Sequence, residues 1–394
     1  MVIESLLSAA VELGVKLLGR RRENPAPADI SRMVEAIRAA ARQHCLGDLR
    51  RTHPGYFRRE VLIAEASTGT PPLHEIARQG QLADLPRRLL TADLLQHLRD
   101  GNASTPLHEA AREGHLDQIP LSLLTPDFLA MTDAKGRTPV HCAAYAKRLN
   151  QVPAAGLTGE SLRRTDYTGR TVFHLAALVG HLDQIPDHLL TAEAMCQPNR
   201  YGGNPLHDAA WAGNLDQVPA RLLTTTAMSM RNCQGWTPLD VAAARGRLAS
   251  VPTTLLNAEA VGRRDRYGWT ILHTAAANGF LHHTPAAILT PENILTPDRE
   301  GRTPLHLAAA MHELALLPSS LLTKEALSIR DHDGRTPLDY FPKAALPKKL
   351  RRPEHKRGAA GTPMNEPAPS AAQRLADVEH TLAQDAKGRG PAVD

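Results

Sequence analysis

Histidine is the residue type best able to do chemistry in this chain, which has 19 histidines among 394 residues. Imidazole binds transition metals and exchanges protons near neutral pH. Seven histidines share one setting, the last position of a Thr-Pro-Leu-His phrase or a close variant of it: His74, His108, His141, His174, His207, His273 and His306. Because consecutive members are separated by a whole repeat, we predict that each one hydrogen bonds locally, to Thr or to backbone. We expect none of them to bind a metal.

Other patterns that indicate catalysis are missing from the sequence. The adjacent pair His282 and His283 would point to different faces of a helix and would make a poor metal site. The chain has no GxSxG nucleophile motif, no HExxH zinc motif and no glycine-rich phosphate loop. The sequence therefore predicts a protein that is not an enzyme, with no catalytic residues, no cofactor and no metal.

The Thr-Pro-Leu-His phrase belongs to a repeat with a period of 33 residues. An earlier copy, one residue out of phase, occupies positions 71–74, and the regular copies begin at Thr105, Thr138, Thr171, Asn204, Thr237, Thr270, Thr303 and Thr336. A period of this length is too short for a domain but suits one unit of a stacked solenoid. Solenoids generally bind other macromolecules along an extended face and rarely contain a catalytic pocket.

Each repeat contains signals for three short helical segments. The first begins at a capping Thr followed by Pro, buries an Ala-Ala pair and ends at Gly, as from Thr171 to Gly180. A second Thr with an acid two residues later, as at Thr191 and Glu193, starts another helix. An Asp-x-x-Gly or Asn-x-x-Gly β-turn closes the repeat. Between the two capping signals, a helical turn of the form Pro-x-x-Leu-Leu follows a helix-breaking proline: Pro86, Pro120, Pro153, Pro186, Pro219, Pro252, Pro285 and Pro318.

These features together resemble the ankyrin repeat over about two-thirds of the chain. The resemblance implies an all-α, ankyrin-like repeat solenoid with short β-turn fingers, comprising eight full repeats and a C-terminal half repeat. It also implies that the histidine of each repeat is bonded to the neighbouring loop. Proteins of this family bind other proteins on the concave face of the array.

The chain departs from the family pattern at defined places. A proline interrupts the second helix of every full repeat, which makes these variant, bacterial-type repeats. Asp240 and Asp339 replace the histidine, and Val172 and Ile271 replace the proline after the capping residue. Arg148 is expected in place of the terminal glycine of the third repeat.

Three regions follow from these patterns. Residues 1–69 are predicted to form an N-terminal helical region or cap, with helices over 2–18 and 29–45. Residues 70–341 form the ankyrin-like array. Residues 342–394 are a basic, Pro- and Ala-rich tail that we expect to be mostly disordered.

Charge and cysteine content restrict the class of protein further. Of the net charge of +5, residues 1–69 contribute +3 and residues 343–394 contribute +4, which leaves −2 for the array. The pI of 9.1 therefore does not make the array a nucleic-acid-binding surface. The four cysteines show no paired spacing, which favours a reducing, cytoplasmic location. No run of 18 uncharged apolar residues predicts a membrane span.

Positions that vary within the uniform scaffold are candidates for partner binding. They lie in the turns and just after the Ala-Ala pair, where Tyr, Trp and Arg are frequent, as they are in binding hot spots. We therefore predict a monomeric, non-catalytic scaffold that binds a protein partner; an alternative role for the aromatic residues is to cover neighbouring turns. The predicted partner-binding residues are Lys135, Arg137, Tyr145, Tyr167, Arg170, Arg200, Tyr201, Trp211, Trp236, Arg266, Tyr267, Trp269, Arg299 and Arg302.

A second functional hypothesis assigns binding to the basic flanks. Residues 1–22, an apolar helix followed by three arginines, could contact a membrane surface, and basic residues within 343–357 could contact nucleic acid. The protein would then be a peripheral anchor in which the array acts only as a spacer. The sequence favours packing of the first helix on the protein and a solvated tail.

Overall fold

The computed structural model describes residues 27–64 and 70–340. Within these ranges the fold is helical and contains no β-strand, and helices that follow one another in the chain pack together. The predicted all-α class is thus confirmed for the described residues. The predicted helix over 2–18 and the tail over 342–394 lie outside them.

The described residues divide into two compact units. The first unit extends to Ala176 and includes His181–Leu190, whereas the second takes Ala177–Gly180 and continues from Thr191. Both units are built from the same repeating set of helices. Each unit therefore has its own core.

The N-terminal part of the first unit is a small group of helices: Pro27–Arg42, Leu46–Thr52, the 3₁₀ turn Pro54–Tyr56, and Arg59–Ile63. Pro27–Arg42 corresponds to the amphipathic helix predicted over 29–45, but it stops before Cys45, which precedes the next helix. Its apolar face buries Val34 and Ile37. This face packs on Pro72–Arg78, the helix of the earliest Thr-Pro-Leu-His copy.

The first helix of each repeat begins after the capping residue of that phrase. Its Ala-Ala pair is fully buried, as at Ala275 and Ala276, and the small side chains allow close approach of the next helix. In the second unit, each of these helices from Pro205–Ala212 onward packs on its successor. The set is Pro72–Arg78, Pro106–Glu113, Pro139–Tyr145, Val172–Val179, Pro205–Ala212, Pro238–Ala244, Ile271–Ala277, Pro304–Ala310 and Pro337–Tyr340.

The recurring proline divides the next part of each repeat into two short segments, both of which are 3₁₀ turns except that a plain turn follows Pro285. Ile119, before Pro120, is extended with φ −92° and ψ 130°, because the proline ring disfavours helical backbone there. The turns before the proline are Leu82–Asp84, Leu116–Gln118, Leu149–Gln151, Leu182–Gln184, Leu215–Gln217, Leu248–Ser250, Leu281–His283 and Glu313–Leu316. The turns after it are Arg87–Leu89, Leu121–Leu123, Ala154–Gly156, Asp187–Leu189, Ala220–Leu222, Thr253–Leu255 and Ser319–Leu321.

The last helix of most repeats is capped by the side chain of the predicted residue, although Thr125 makes no such hydrogen bond. Thr224 Oγ1 accepts a hydrogen bond from Ala227 N–H at 3.2 Å, and Thr323 accepts one from Ala326 N–H at 3.1 Å. In the repeat that contains Thr191 this element is a 3₁₀ turn, Ala194–Cys196. The helices are Ala92–His97, Pro126–Leu129, Gly159–Arg163, Thr225–Ser229, Ala258–Gly262, Pro291–Ile294 and Lys324–Ser328.

One sequence assignment is corrected at the end of the third repeat's first helix. The residue in the glycine position is Lys147, with φ 63°, and not Arg148, whose φ is −125°. Lys147 lies midway, in sequence, between Gly114 and Gly180, both of which are left-handed. A lysine is therefore held in a backbone conformation that glycine adopts more easily.

Candidate functional site

The Asp-x-x-Gly segments form tight turns that project two residues, here called the turn tip. In the turn that begins at Asp265, the tip is Arg266 and Tyr267. Oδ1 of Asp265 accepts hydrogen bonds from the N–H of Tyr267 at 2.7 Å and of Trp269 at 2.8 Å. The N–H of Gly268, whose φ is 81°, donates to the Asp265 carbonyl at 3.0 Å. This hydrogen bond confirms the predicted β-turn and fixes the direction of the tip.

Neighbouring tips within a unit are joined by backbone hydrogen bonds. In the second unit, Cys233 N–H donates to the Tyr201 carbonyl at 2.8 Å, and Arg299 N–H donates to the Tyr267 carbonyl at 3.2 Å. In both pairs the first tip residue of one repeat bonds to the second tip residue of the preceding repeat. The tips are thus held in register before any partner arrives.

The recurring histidine connects each first helix to the following turn. Thr270 N–H donates to Nδ1 of His273 at 3.1 Å, so Nδ1 is the acceptor. Nε2 therefore bears the hydrogen and donates to the Arg302 carbonyl at 3.1 Å. Equivalent contacts join His108 to Arg137, His141 to Arg170, His207 to Trp236 and His306 to Arg335.

Burial keeps these imidazoles neutral. It lowers the pKa of His108 and of His273 to about 4, and the carbonyl that each one faces only partly opposes this effect. Burial also lowers the pKa of His74, His141 and His306. Both ring nitrogens of His273 are engaged by protein groups, so this ring has no nitrogen to offer a metal.

Asp240 takes the histidine's place in one repeat and makes a different connection. Its Oδ2 accepts from Thr237 N–H at 2.9 Å and from the Thr237 hydroxyl at 2.8 Å. A carboxylate has no hydrogen to donate to the next turn. Arg263, in the same repeat, instead contacts Oδ2 of Asp240 at 3.2 Å.

A glutamine that the sequence analysis did not single out forms a second type of link. Nε2 of Gln118 donates to the Gly80 carbonyl at 2.6 Å in the preceding repeat. Gln184 donates to the Lys147 carbonyl at 3.2 Å and accepts from Leu149 N–H at 2.9 Å. The recurrence of Leu-Asp-Gln before the proline was the available signal. The sequence alone does not show what this glutamine bonds to, because its partner lies more than 30 positions away.

Buried glutamates of the first unit are also used internally. Glu109 receives Arg78 Nε at 3.1 Å and Arg112 Nη1 at 2.6 Å. Burial by itself would raise the pKa of Glu109, but the two guanidinium groups outweigh it and lower that pKa. Paired, ionised and buried carboxylates of this kind stabilise the repeat interface and do not act as general acids.

The first unit places its predicted binding residues in two environments. Tyr145 and Tyr167 have 59% and 58% of their surface exposed, and Lys135 is exposed beside Tyr167 in the neighbouring tip. Arg137 and Arg170 are half-buried, and Arg137 pairs with Asp133 at 2.7 Å. The tyrosines and Lys135 are therefore available to a partner, whereas Arg137 is engaged by its own turn.

In the second unit, three predicted arginines occupy the same tip position in different repeats. Arg200, Arg266 and Arg299 are exposed. Their guanidinium groups make no hydrogen bond or ion pair within the described residues, although Arg266 lies 4.8 Å from the ring centre of Tyr267. Tyr201 and Tyr267 are half-buried.

Two tryptophans of the second unit remain partly accessible. Trp236 and Trp211 are half-buried. The guanidinium of Arg245, a residue that the sequence analysis did not select, lies 3.8 Å from the Trp211 ring centre. This cation–π contact orders a flat aromatic and cationic surface at the end of the first helix.

Two of the predicted residues prove to be structural. Trp269 is only 9% exposed, and its Nε1 donates to Asp298 Oδ2 at 3.1 Å. Arg302 pairs with the same carboxylate at 2.9 Å and with Glu300 at 3.0 Å. The prediction of Trp269 as a binding residue is corrected, because the buried indole covers the neighbouring turn; this is the alternative role proposed above for the aromatic residues.

No group of three or more His, Cys, Asp or Glu side chains within residues 27–64 and 70–340 is arranged to hold a metal ion. None of the four cysteines, all of which are described, forms a disulfide. A cavity of about 530 Å³ in the second unit has one titratable residue in its lining, Asp216, and is otherwise bordered by Gln217, Val218, Pro219, Ala220, Leu223, Pro252, Thr254 and Leu255.

The remaining predictions concern the membrane and the flanks. Across the described part of the chain, no helix has both the length and the apolar content needed to cross a bilayer. The predicted membrane contact of residues 1–22 and the predicted basic contacts of residues 343–357 fall outside the described residues.

Comparison with known proteins returns no family model that matches the chain. No curated protein matches it either. The function is therefore argued from the geometry above.

Proposed function

We propose that this protein is a non-catalytic, ankyrin-like repeat array of eight full repeats and a half repeat that binds a protein partner. Within each unit, the binding surface is formed by the turn tips, by the residue after the turn glycine, such as Trp236, and by the ends of the first helices. The observation that carries the proposal is the contrast between uniform support and variable tips. Histidine links hold most of the turns in the same way and backbone links join several pairs of tips, while the outward residues change from repeat to repeat.

The exposed side chains have the chemistry of protein recognition. Tyr, Trp and Arg supply large contact areas and directional hydrogen bonds, and they dominate binding energy at many interfaces. In the second unit these are Tyr201, Trp236 and the Trp211–Arg245 pair, and in the first unit Tyr145 and Tyr167. Because the backbone of each tip is fixed beforehand, little conformational entropy is lost on binding.

Internal use of the reactive side chains supports a non-catalytic role. The histidines donate to carbonyls, and the ionised carboxylate of Glu109 is paired with two arginines. The unpaired state of all four cysteines supports the further proposal of a reducing, cytoplasmic location.

Affinity capture from a host-cell extract tests the function. The full chain is compared with the double variant Tyr201→Ala/Trp236→Ala, which removes two half-buried aromatic side chains from the binding surface. We expect the variant to lose the captured partner while circular dichroism shows an unchanged helical signal.

The matched control is Leu121→Ala/Leu316→Ala. These leucines are 76% and 60% exposed and lie on the 3₁₀ turns, away from the tips. The control should retain the partner. Capture that survives loss of both aromatic residues, or that is lost equally in the control, would refute the proposed surface.

A further inference from the structure

The first residue of each of four turns in the second unit is used by its own turn. Oδ1 of Asp298 accepts from Glu300 N–H at 2.9 Å and from Arg302 N–H at 2.8 Å, and Asp298 is 6% exposed. Asp265 serves its own turn in the same way. Two earlier turns use a neutral asparagine in this role, Asn199 and Asn232. At the base of these four turns, the carboxylate therefore accepts backbone hydrogen bonds of its own turn or is replaced by a neutral amide.

Positive charge, by contrast, points outward. One tip position is filled in four successive repeats by Arg200, Cys233, Arg266 and Arg299. All four residues are exposed, and the three guanidinium groups have no ion-pair partner within the described residues. The exposed acid that follows Arg299 in the same tip, Glu300, is paired with Arg302 at 3.0 Å. The charge of these three arginines is therefore uncompensated.

Two of the three arginines, Arg266 and Arg299, belong to tips that are joined by a backbone hydrogen bond. Arg299 N–H donates to the carbonyl of Tyr267, the residue next to Arg266. Arg266 in turn packs over the Tyr267 ring. The stacking restricts the Arg266 guanidinium, and the backbone link fixes the main chain of Arg299 beside it, so a partner that binds Arg266 loses less side-chain entropy.

We propose that this row of Arg200, Arg266 and Arg299 binds an acidic, extended segment of the protein partner. A guanidinium group binds a carboxylate through two parallel hydrogen bonds. Arg266 and Arg299 are one repeat apart and Arg200 is two repeats before Arg266, a spacing that fits carboxylates distributed along an extended chain. This inference rests on the proposed function and specifies the chemistry of the partner.

A peptide fits this surface better than a nucleic acid does. Nucleic-acid affinity grows with the number of phosphates that are neutralised, and residues 70–342 carry a net charge of −2. A long polyanion would therefore meet repulsion from the rest of the array. A short acidic segment meets only the tips.

Fluorescence anisotropy with the full-length protein tests the proposal. The probe is a labelled peptide of about twelve residues in which Glu alternates with Gly, an extended chain by composition. The comparison variant is Arg266→Glu/Arg299→Glu. We expect the affinity to fall by about tenfold or more, and to fall with added salt in the wild type. A peptide with Gln in place of Glu should not bind.

Arg87→Glu/Arg88→Glu is the charge-matched control, because both residues are exposed and lie on a 3₁₀ turn of the first unit. It should bind the acidic peptide as the wild type does. Arg266→Gln/Arg299→Gln guards against unfolding caused by the introduced acids, and it should also lose binding. Equal affinity in the tip variants and the wild type, or tighter binding of an oligothymidine of the same length, would overturn the proposal.

The two proposals fail in different ways. Suppose that Tyr201→Ala/Trp236→Ala abolishes partner capture but the arginine variants do not. The array then binds a protein through other contacts, and the proposal that the arginines bind an acidic segment is wrong. If neither set affects capture, the proposed function itself is wrong.

Discussion

The indole Nε1 of Trp269 donates a hydrogen bond to Oδ2 of Asp298, at 3.1 Å, in the next repeat. The Trp269 ring also stacks on the imidazole of His273, with 6.5 Å between ring centres. Trp236 occupies the same position one repeat earlier, but the residue four places after it is Asp240. Aspartate has no aromatic ring on which the indole could stack, and Trp236 remains half-buried.

This difference predicts unequal effects of the same substitution. Trp269→Ala should lower the free energy of unfolding by about 3 kcal/mol or more, because it removes a buried aromatic ring and its hydrogen bond. Trp236→Ala should cost about 1 kcal/mol or less, since it removes a half-buried ring. Urea denaturation followed by circular dichroism measures both, and equal losses would contradict the structural assignment of Trp269.

The neutral histidines predict loss of stability in mild acid. Unfolded histidine takes up a proton near pH 6.5, whereas the folded pKa of His108 and of His273 is about 4. The unfolded state therefore binds more protons between these values, and stability falls as the pH drops through that window. At pH 5 each of the two should cost about 2 kcal/mol relative to neutral pH.

Urea midpoints measured from pH 7 to pH 5 check this dependence. His273→Asn keeps an acceptor for Thr270 N–H but does not titrate, so the urea midpoint of this variant should depend less on pH. Replacement of the exposed His188 by Ala should leave the pH dependence unchanged. A urea midpoint that stays constant down to pH 5 would contradict the lowered pKa of the buried histidines.

The earliest repeat offers a stabilising substitution. Pro71 precedes His74 by three residues, where later repeats have Thr or Asn, and proline supplies neither an N–H nor a hydroxyl. Nδ1 of His74 consequently has no hydrogen-bond partner although it is buried. Pro71→Thr should raise the free energy of unfolding by about 1 kcal/mol.

Pro71→Val is the control for that experiment, because valine has the shape of threonine and restores the N–H alone. Thermal melts should rank the threonine variant above the valine variant. If both melt at the wild-type temperature, the unsatisfied nitrogen carries no measurable cost.

Alanine substitutions at two left-handed glycines allow the cost of backbone strain to be measured apart from the cost of a packing clash. Gly246 has φ 66°, and a Cβ there would lie 2.7 Å from Cδ1 of Phe280. Gly279 has φ 76°, but its nearest neighbour, Cε of Met311, would be 3.7 Å away. Alanine at Gly279 should cost about 1 kcal/mol from strain alone, and alanine at Gly246 should cost more because Phe280 must also move. Comparable urea midpoints for the two variants would rule out the packing contribution.

The sequence by itself determined the local structure of each repeat. Capping Thr residues, the helix-breaking proline and the turn Asp with its glycine act within a few residues, through sterics and short-range hydrogen bonds. The first helices, the helical turn after the proline and the β-turns therefore follow directly from the repeated pattern, whereas the 3₁₀ turn before the proline is found only in the structure. The exceptions, Lys147 and His312, needed the structure because neither a lysine nor a histidine gives a local signal for a left-handed backbone.

Only the tertiary structure decided which side chains face outward. Trp236 and Trp269 have the same place in the repeat, and Arg299 and Arg302 belong to one turn, yet one of each pair is accessible and the other is engaged. The same holds for Gln118, whose partner is the Gly80 carbonyl of the preceding repeat. The physical reason is that exposure depends on what the adjacent repeat places against a side chain, about 30 residues away. Local propensity contains no information on that contact.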